Sequence, residues 1–147
     1  MSNYNKDMKT THIVSQISRI RNKANAFILY SLAQEGITEL VPSHGDILAV
    51  LFKEGEVTMN DLAEAIHRTK PTVTILVKKL VTLGLVTRAK SPEDARITFI
   101  TLTPKGKQFK NTFEQVSHAL TTKLLKGVSA SEQQQLEALL CKVEANL

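Results

Sequence analysis

The sequence predicts a mainly α-helical protein with a small β element, an α+β fold. Apolar residues recur every three or four positions towards both ends of the chain, which is typical of amphipathic helices. Two short segments rich in β-branched residues lie close together after residue 84 and are typical of strands. Of the 147 residues, 42% are hydrophobic and 22% are charged, a balance that suits one soluble globular domain.

The chain begins with a long predicted helix, which extends from roughly Thr11 to Gln34 and ends near Gly36. Spacings of four and three residues place one apolar stripe along this helix. The stripe consists of Ile13, Ile17, Ile20, Ala24 and Phe27. Such a stripe must be covered by another apolar surface.

A second helix is expected after Pro42, with Ser43 as its N-cap and Gly55 at its end. Its predicted inward residues are Ile47, Leu48, Leu51 and Phe52. A third, short helix is predicted from Thr58, because Thr58 and Asp61 have the spacing of a capping box. Its apolar positions are Leu62, Ala63 and Ile66.

A fourth helix follows a tight connection at His67 and Arg68, with Thr69 as N-cap, Pro71 in the first turn and an end at Gly84. Intervals of 100° divide this helix into two stripes. One stripe is apolar and is predicted to pack inward: Val73, Leu76, Val77 and Leu80. The opposite stripe is predicted to face outward: Pro71, Thr74, Ile75, Lys78 and Thr82.

Two strands are predicted next, over Leu85–Arg88 and Ile97–Leu102, with a polar loop over residues 89–96 between them. Thr103 and Pro104 then mark the start of a fifth helix. Its apolar stripe is Phe109, Phe113, Val116, Leu120 and Leu124. After Gly127, Ser129 or Ser131 caps a last helix with an apolar face of Leu136, Leu139, Leu140 and Val143.

Positive charge is concentrated in the middle of the chain. Residues 68–110 contain ten basic and two acidic side chains, whereas the remainder contains nine basic and twelve acidic ones. No Asp or Glu occurs from Arg68 to Ala89. Because an ordinary solvated helix mixes charges of both signs, this segment is a candidate surface for a polyanion.

The order of helix, tight turn, helix and two-stranded hairpin is that of a winged helix-turn-helix. The outward stripe of the fourth helix suits a major groove, since it combines small hydroxyls with cations and lacks acids. The chain further resembles the MarR family of bacterial transcription regulators. The segments that carry this resemblance are Leu62-Ala63-Glu64, Thr72-Val73-Thr74, Gly84-Leu85-Val86, Asp94-Ala95-Arg96 and Leu102-Thr103-Pro104-Lys105-Gly106.

The resemblance implies a single MarR-type domain over residues 1–147. Dimerisation helices would occupy approximately residues 11–35 and 104–147, and a winged helix-turn-helix lobe approximately residues 43–103. A homodimer would bind a near-palindromic operator in double-stranded DNA and regulate transcription, as a repressor relieved by a small-molecule effector. The predicted dimerisation residues are Ile13, Ile17, Ile20, Val116, Leu120, Leu124, Leu136 and Leu140.

The predicted DNA-binding residues come from the fourth helix and the hairpin: Thr69, Lys70, Pro71, Thr72, Thr74, Ile75, Lys78, Arg88, Lys90, Asp94 and Arg96. By the resemblance, Arg96 would enter the minor groove, where negative potential is concentrated, and Asp94 would orient it. Many relatives carry Arg where this chain has Ile75, so guanine readout from that position is lost. Ile75 either contacts a thymine methyl group or is buried against the third helix.

The resemblance also suggests an anionic or aromatic effector between the dimerisation helices and the lobe. The candidates to line such a site are Arg21, Phe27, Tyr30 and Phe52, although core packing explains the aromatic residues equally well. Cys141 is expected to be a buried structural thiol. A winged-helix module that binds an acidic protein partner is the alternative function, and it would show no preference among DNA sequences.

Enzymatic and metal-dependent functions have no support in the sequence. The six glycines are scattered singly, so no phosphate-binding loop or dinucleotide fingerprint occurs, and the four histidines lack the spacing of metal ligands. We therefore expect a protein that is not an enzyme and has no cofactor or metal. Without a long apolar run or a signal-like N-terminus, the expected location is the cytoplasm.

Overall fold

The computed structural model describes residues 12–147, and within this range it contains six helices and three strands. The helices are α1 (Ile13–Gln34), α2 (Pro42–Glu54), α3 (Met59–Ala65), α4 (Lys70–Thr82), α5 (Pro104–Leu124) and α6 (Ala130–Glu144). The strands are β1 (Glu56–Thr58), β2 (Val86–Lys90) and β3 (Thr98–Leu102). All six predicted helices are present, and the predicted start at Thr11 lies outside the described residues.

The sheet has one strand more than the sequence predicts. Its order is β1-β3-β2, with both pairs antiparallel, so β3 lies in the centre. Only three residues form β1, and Val57 at its middle pairs with Ile100. The strand pattern of β1 is too short to recognise, because its extended conformation depends on pairing with β3, more than 40 residues later. The hairpin is also longer than predicted, since Ala89 and Lys90 pair with Phe99 and Thr98.

The hydrophobic core lies in the middle of the chain. Its fully buried side chains come from α2, α3, α4 and the sheet: Ile47, Leu48, Leu51, Leu62, Val73, Val77, Leu80, Val86 and Ile100. By contrast, α1 buries only Leu32, α5 buries only Gly106, and α6 buries no residue. The central lobe therefore has its own core, whereas the long helices at either end leave much apolar surface uncovered.

One predicted helix cap is wrong, and the structure specifies two others. The N-cap of α2 is Val41 rather than Ser43, and the buried His44 accepts the Val41 N–H at Nδ1 over 2.9 Å. Burial, together with the charge of Lys79, lowers the pKa of His44 and favours the neutral ring that this hydrogen bond requires. Thr69 is the N-cap of α4, but its Oγ1 lies 3.0 Å from Thr72 Oγ1 and caps no backbone N–H. Ser129, not Ser131, caps α6.

The start of α5 explains why a glycine occupies position 106. The Thr103 N–H donates to the Leu85 carbonyl over 3.0 Å, which brings the first turn of α5 against the end of the α4–β2 connection. A Cβ atom added at Gly106 would overlap the Leu85 carbonyl oxygen and would lie 3.1 Å from Leu102 Cδ2. The close approach of two backbone segments therefore excludes any side chain here.

We expect Gly106→Ala to lower the free energy of unfolding by about 3 kcal/mol, because the clash is with backbone that cannot rotate away. Urea unfolding followed by circular dichroism measures this change. Gly45→Ala is the matched control: Gly45 is also helical, but an added Cβ would meet only Phe113 Cε2 at 3.5 Å. That variant should stay within about 1 kcal/mol of the wild type. Equal stability of the two variants would contradict this account of position 106.

Candidate nucleic-acid interface

The helix-turn-helix is formed by α3, a short turn and α4. Thr58 Oγ1 accepts the Asp61 N–H over 3.1 Å and begins α3 as predicted. His67 adopts a left-handed conformation with φ of 53°, and the Arg68 N–H donates to the Ala63 carbonyl over 3.0 Å. Thr69 is extended, and α4 begins at Lys70 with Pro71 in its first turn. The turn thus fixes the direction of α4 relative to α3.

The two faces of α4 separate as the sequence predicts. Val73, Val77 and Leu80 are fully buried, and Leu76 is half-buried. Ile75 is 70% exposed. The structure therefore excludes the alternative in which Ile75 is buried against α3, and the side chain faces outward with Thr74 and Lys78.

The threonine hydroxyls of α4 are hydrogen-bonded within the helix. Thr74 Oγ1 donates to the Lys70 carbonyl over 2.9 Å, and Thr82 Oγ1 donates to the Lys78 carbonyl over 3.0 Å. Such bonds to the carbonyl four residues earlier are a common arrangement for threonine in helices. Their consequence is that the hydroxyl protons of Thr74 and Thr82 are already used.

The hairpin of β2 and β3 carries an arginine at its tip. The Ser91 N–H donates to the Ile97 carbonyl over 2.8 Å and closes the loop. The Asp94 carboxylate accepts the Arg96 Nε and Nη2 groups, both over 3.1 Å, and also the Arg96 backbone N–H over 3.0 Å. These bonds lower the pKa of Asp94 below its ordinary value. The Arg96 side chain is 91% exposed, so Asp94 orients it without covering it.

A groove of about 390 Å³ separates α4 from the hairpin. Lys70 and Thr74 line it from the helix, and Arg88 and Arg96 line it from the strands and their loop. The start of α3 forms the remaining side, where Asn60 and the carboxylate of Asp61 lie. The cations of helix and hairpin, which are distant in sequence, therefore face one space.

Several of the predicted DNA-binding residues lie outside the groove but on the same face of the protein. Pro71, Thr72 and Lys78 are exposed on α4 or its flank. Lys90 bridges the hairpin tip, since its Nζ donates to the Ala95 carbonyl over 3.2 Å. Lys79 is turned away from this face, because its Nζ pairs with Glu39 Oε1 at 3.2 Å.

Sequence reasoning misses Asn60 and Asp61 as lining residues of the groove. The capping signal at Thr58 places both residues at the start of a helix. However, nothing in the local pattern shows that this helix end approaches the hairpin. Pairing of β1 with β3 brings the start of α3 to the sheet, and β1 is the element that the sequence does not reveal.

The predicted dimerisation residues fall into two groups. Val116 and Leu120 on α5 are half-buried within their own chain, and Val116 packs against the central core. The others are exposed apolar side chains: Ile13, Ile17, Ile20, Leu124, Leu136 and Leu140. Cys141 is also exposed on α6, so the expectation of a buried thiol is wrong for the single chain. Among residues 12–147, no other element packs closely on α6.

The predicted ligand residues do not come together. An apolar cavity of about 130 Å³ lies between α1, α2 and α5, and Arg21, Phe27, Tyr30 and Phe52 are absent from its lining. Arg21 borders a separate polar depression, Tyr30 is 65% exposed, and Lys123 Nζ lies 5.0 Å from the Phe27 ring centre. Phe52 packs on Phe113, with ring centres 5.3 Å apart, and only Phe113 reaches the cavity. Helical periodicity cannot show which of these two packed rings lines the cavity.

The cavity is lined mainly by aliphatic and aromatic side chains, among them Ile28, Leu32, Phe109, Phe113 and Leu120. Its polar margin includes Ser117 and Asp46. Burial raises the pKa of Asp46, while the charges of Arg68 and Arg21 oppose this shift. Asp46 thus lies between the cavity and Arg68, which belongs to the turn of the helix-turn-helix.

Other kinds of site find no support in residues 12–147. No three His, Cys, Asp or Glu side chains in this range are arranged to hold a metal ion. Across the same residues, no helix has the length and apolar character that crossing a membrane requires.

The lobe with its own core, the helix pair with an exposed second helix and the hairpin define a winged helix-turn-helix protein. The sequence profile of the MarR family matches residues 36–97. The chain is 28% identical over 113 residues to the HTH-type transcriptional regulator YdgJ of Bacillus subtilis, an alignment that covers 77% of this chain and 69% of YdgJ. The central part of the chain, residues 36–97, therefore belongs to the MarR family, and the curated relatives of the chain are HTH-type transcriptional regulators.

Two further relatives carry more specific descriptions. The HTH-type transcriptional repressor IacR of Pseudomonas putida is 30% identical over 101 residues, which cover 69% of this chain and 60% of IacR. The crystal structure of an S. aureus MepR–DNA complex superposes with a TM-score of 0.83 at 26% identity, covering 91% of this chain and 97% of MepR.

Proposed function

We propose that this protein is a transcription regulator that binds a specific sequence in double-stranded DNA. The observation that carries the proposal is the acid-free, exposed face of α4, which shares a cationic groove with Arg88 and Arg96 of the hairpin. Cations on both sides of a groove suit the phosphates that border a DNA major groove. The relative MepR, which has this fold, has been crystallised with DNA. A bacterial regulator of this kind works in the cytoplasm, where the chromosome is.

The active species in this proposal is a homodimer formed by the terminal helices. The apolar faces of α1 and α6 are exposed, and α6 packs closely on no other element of its own chain within residues 12–147. An isolated helix of 15 residues is marginal in water, so a well-formed α6 needs a surface to pack against. A second copy supplies one, because each copy presents the same uncovered faces.

The two lobes of this dimer would each place α4 in the major groove, with the hairpin tip in the adjacent minor groove. Half-sites should lie about one helical turn apart, because both helices must enter the same side of the duplex. A dimer on a promoter blocks RNA polymerase sterically. Repression is therefore the proposed outcome, as the description of IacR states for that relative.

Relief of repression would come from a small aromatic molecule in the cavity between α1, α2 and α5. An apolar cavity of about 150 Å³ holds a benzene ring, so the cavity of about 130 Å³ suits a single ring. Asp46, at its margin, and Arg68, in the turn before α4, line one adjoining depression. A ligand that displaces α2 would therefore change the position of α4 relative to the terminal helices.

Selection of genomic fragments by the full-length protein, at low and high salt, tests the proposed function. A sequence-specific regulator enriches a small set of fragments that contain an inverted repeat. Its affinity for them falls steeply as salt rises, since phosphate contacts release counterions. Release of the selected DNA by benzoate-like compounds then tests the cavity. Recovery of all fragments to an equal extent would overturn the proposal and favour a module that binds acidic proteins.

A further inference from the structure

The outward face of α4 presents carbon rather than hydrogen-bonding groups near its N-terminal end. Ile75 is 70% exposed, and Pro71, which precedes it by about one turn, is exposed and has no backbone N–H. Thr74 lies between them, and its hydroxyl proton is committed to the Lys70 carbonyl over 2.9 Å. Thr74 Oγ1 can still accept a hydrogen bond but cannot donate one, and the methyl group is the apolar part of Thr74 that remains for a partner.

The residue types of this segment leave few means for polar readout of bases. From Thr69 to Thr82 there is no Arg, Asn, Gln, Asp or Glu. Bidentate recognition of guanine requires Arg or Lys, recognition of adenine requires Asn or Gln, and recognition of cytosine requires an acid. Lys70 faces the groove and Lys79 pairs with Glu39, so Lys78 is the cation left on this stripe, one turn beyond the apolar group.

One feature of the major groove matches an apolar surface, namely the C5-methyl group of thymine. We propose that α4 recognises its half-site by apolar contact with thymine methyl groups, and that Ile75 and Thr74 are the specificity-determining residues. This inference rests on the proposed binding of duplex DNA. In this arrangement Lys70 and Lys78 fix the position of the helix through phosphates, while Arg96 acts in the minor groove.

Replacement of thymine by uracil tests the inference directly, because deoxyuridine differs from thymidine only in lacking the methyl group. The full-length protein first selects its operator from a pool of random 30-base-pair duplexes. The operator is then synthesised with deoxyuridine at every thymidine of both half-sites, and the dissociation constants of both duplexes are measured at one salt concentration. We expect about fourfold weaker binding for each contacted methyl group, the equivalent of about 0.8 kcal/mol.

The minor-groove edge and the pairing of uracil are those of thymine, so contacts of Arg96 are unchanged in this comparison. Ile75→Ala should discriminate less between the two operators than the wild type, because only the Thr74 methyl group then remains to contact thymine. At Thr74, two variants test the methyl group and the hydroxyl group separately. Thr74→Val keeps the methyl and should bind like the wild type, whereas Thr74→Ser keeps the hydroxyl and should bind less tightly.

Equal affinity of wild-type protein for the thymine and uracil operators would overturn methyl recognition while leaving the proposed function intact. A selected half-site without thymine would also overturn methyl recognition alone. So would the result that Thr74→Ser binds like the wild type while Thr74→Val binds weakly. Failure to enrich any sequence would instead overturn the proposed function and this inference with it. Thermal unfolding of each variant confirms that the exposed substitutions leave the fold intact.

Discussion

Leu140→Glu is expected to convert the dimer into a monomer and to weaken operator binding by at least about 100-fold. Leu140 is 43% exposed on α6, beside the exposed Leu136, Leu139 and Val143. If this face packs against a second copy, the substitution places a carboxylate in an apolar interface, which is strongly unfavourable. The loss in DNA binding follows because two linked lobes bind with an avidity that exceeds single-lobe affinity by about 100-fold or more.

Sedimentation velocity and operator titration together measure this effect. The matched control is Gln134→Glu, which adds the same charge on the opposite side of α6 and should leave both the dimer and its affinity unchanged. The central lobe should remain folded in both variants, because its core contains no residue of α6. A wild-type protein that sediments as a monomer, or a dimeric Leu140→Glu variant, would contradict the proposed interface.

The sequence predicts most of the helical framework because that framework depends on local signals. Periodicity identifies the inward stripe of α4, and of its four residues Val73, Val77 and Leu80 are fully buried. Short-range chemistry likewise identifies Thr58 and Thr103 as caps, whose hydroxyls accept the N–H groups of Asp61 and Gly106. In each case the two ends of the interaction lie within a few residues of one another.

The features that the sequence does not predict depend on contacts between distant segments. Strand β1 forms through pairing with β3, and His44 rather than Ser43 completes the start of α2 because the helix buries that ring. The cavity likewise depends on how α5 packs across α1 and α2, so the sequence does not show that Phe113 rather than Phe52 lines it. At the candidate interface, the outward position of Ile75 follows from the rotation of α4, which the sequence leaves open.

Arg96→Ala is expected to weaken operator binding by about 1–3 kcal/mol for each hairpin, a tenfold to hundredfold effect per half-site. The guanidinium is 91% exposed and is held by two hydrogen bonds to the Asp94 carboxylate, so it is pre-oriented for a narrow, negatively charged groove. Asp94 is ionised at neutral pH and Arg96 lowers its pKa further, so this arrangement persists throughout the neutral pH range. The slope of affinity against salt should fall by about 0.9 for each phosphate contact removed.

Three further variants distinguish the contribution of the Arg96 geometry to DNA binding from the contribution of its charge. Arg96→Lys keeps the charge but loses the planar pair of hydrogen bonds to Asp94, so it should restore the salt slope and only part of the affinity. Lys53→Ala removes another highly exposed cation from the end of α2, outside the groove, and should bind like the wild type. Asp94→Asn keeps the size of the side chain but weakens the hold on Arg96, and should raise the dissociation rate although it adds net positive charge. If Asp94→Asn instead binds more tightly and Arg96→Lys binds like the wild type, the hairpin acts by bulk charge alone and Asp94 has no orienting role.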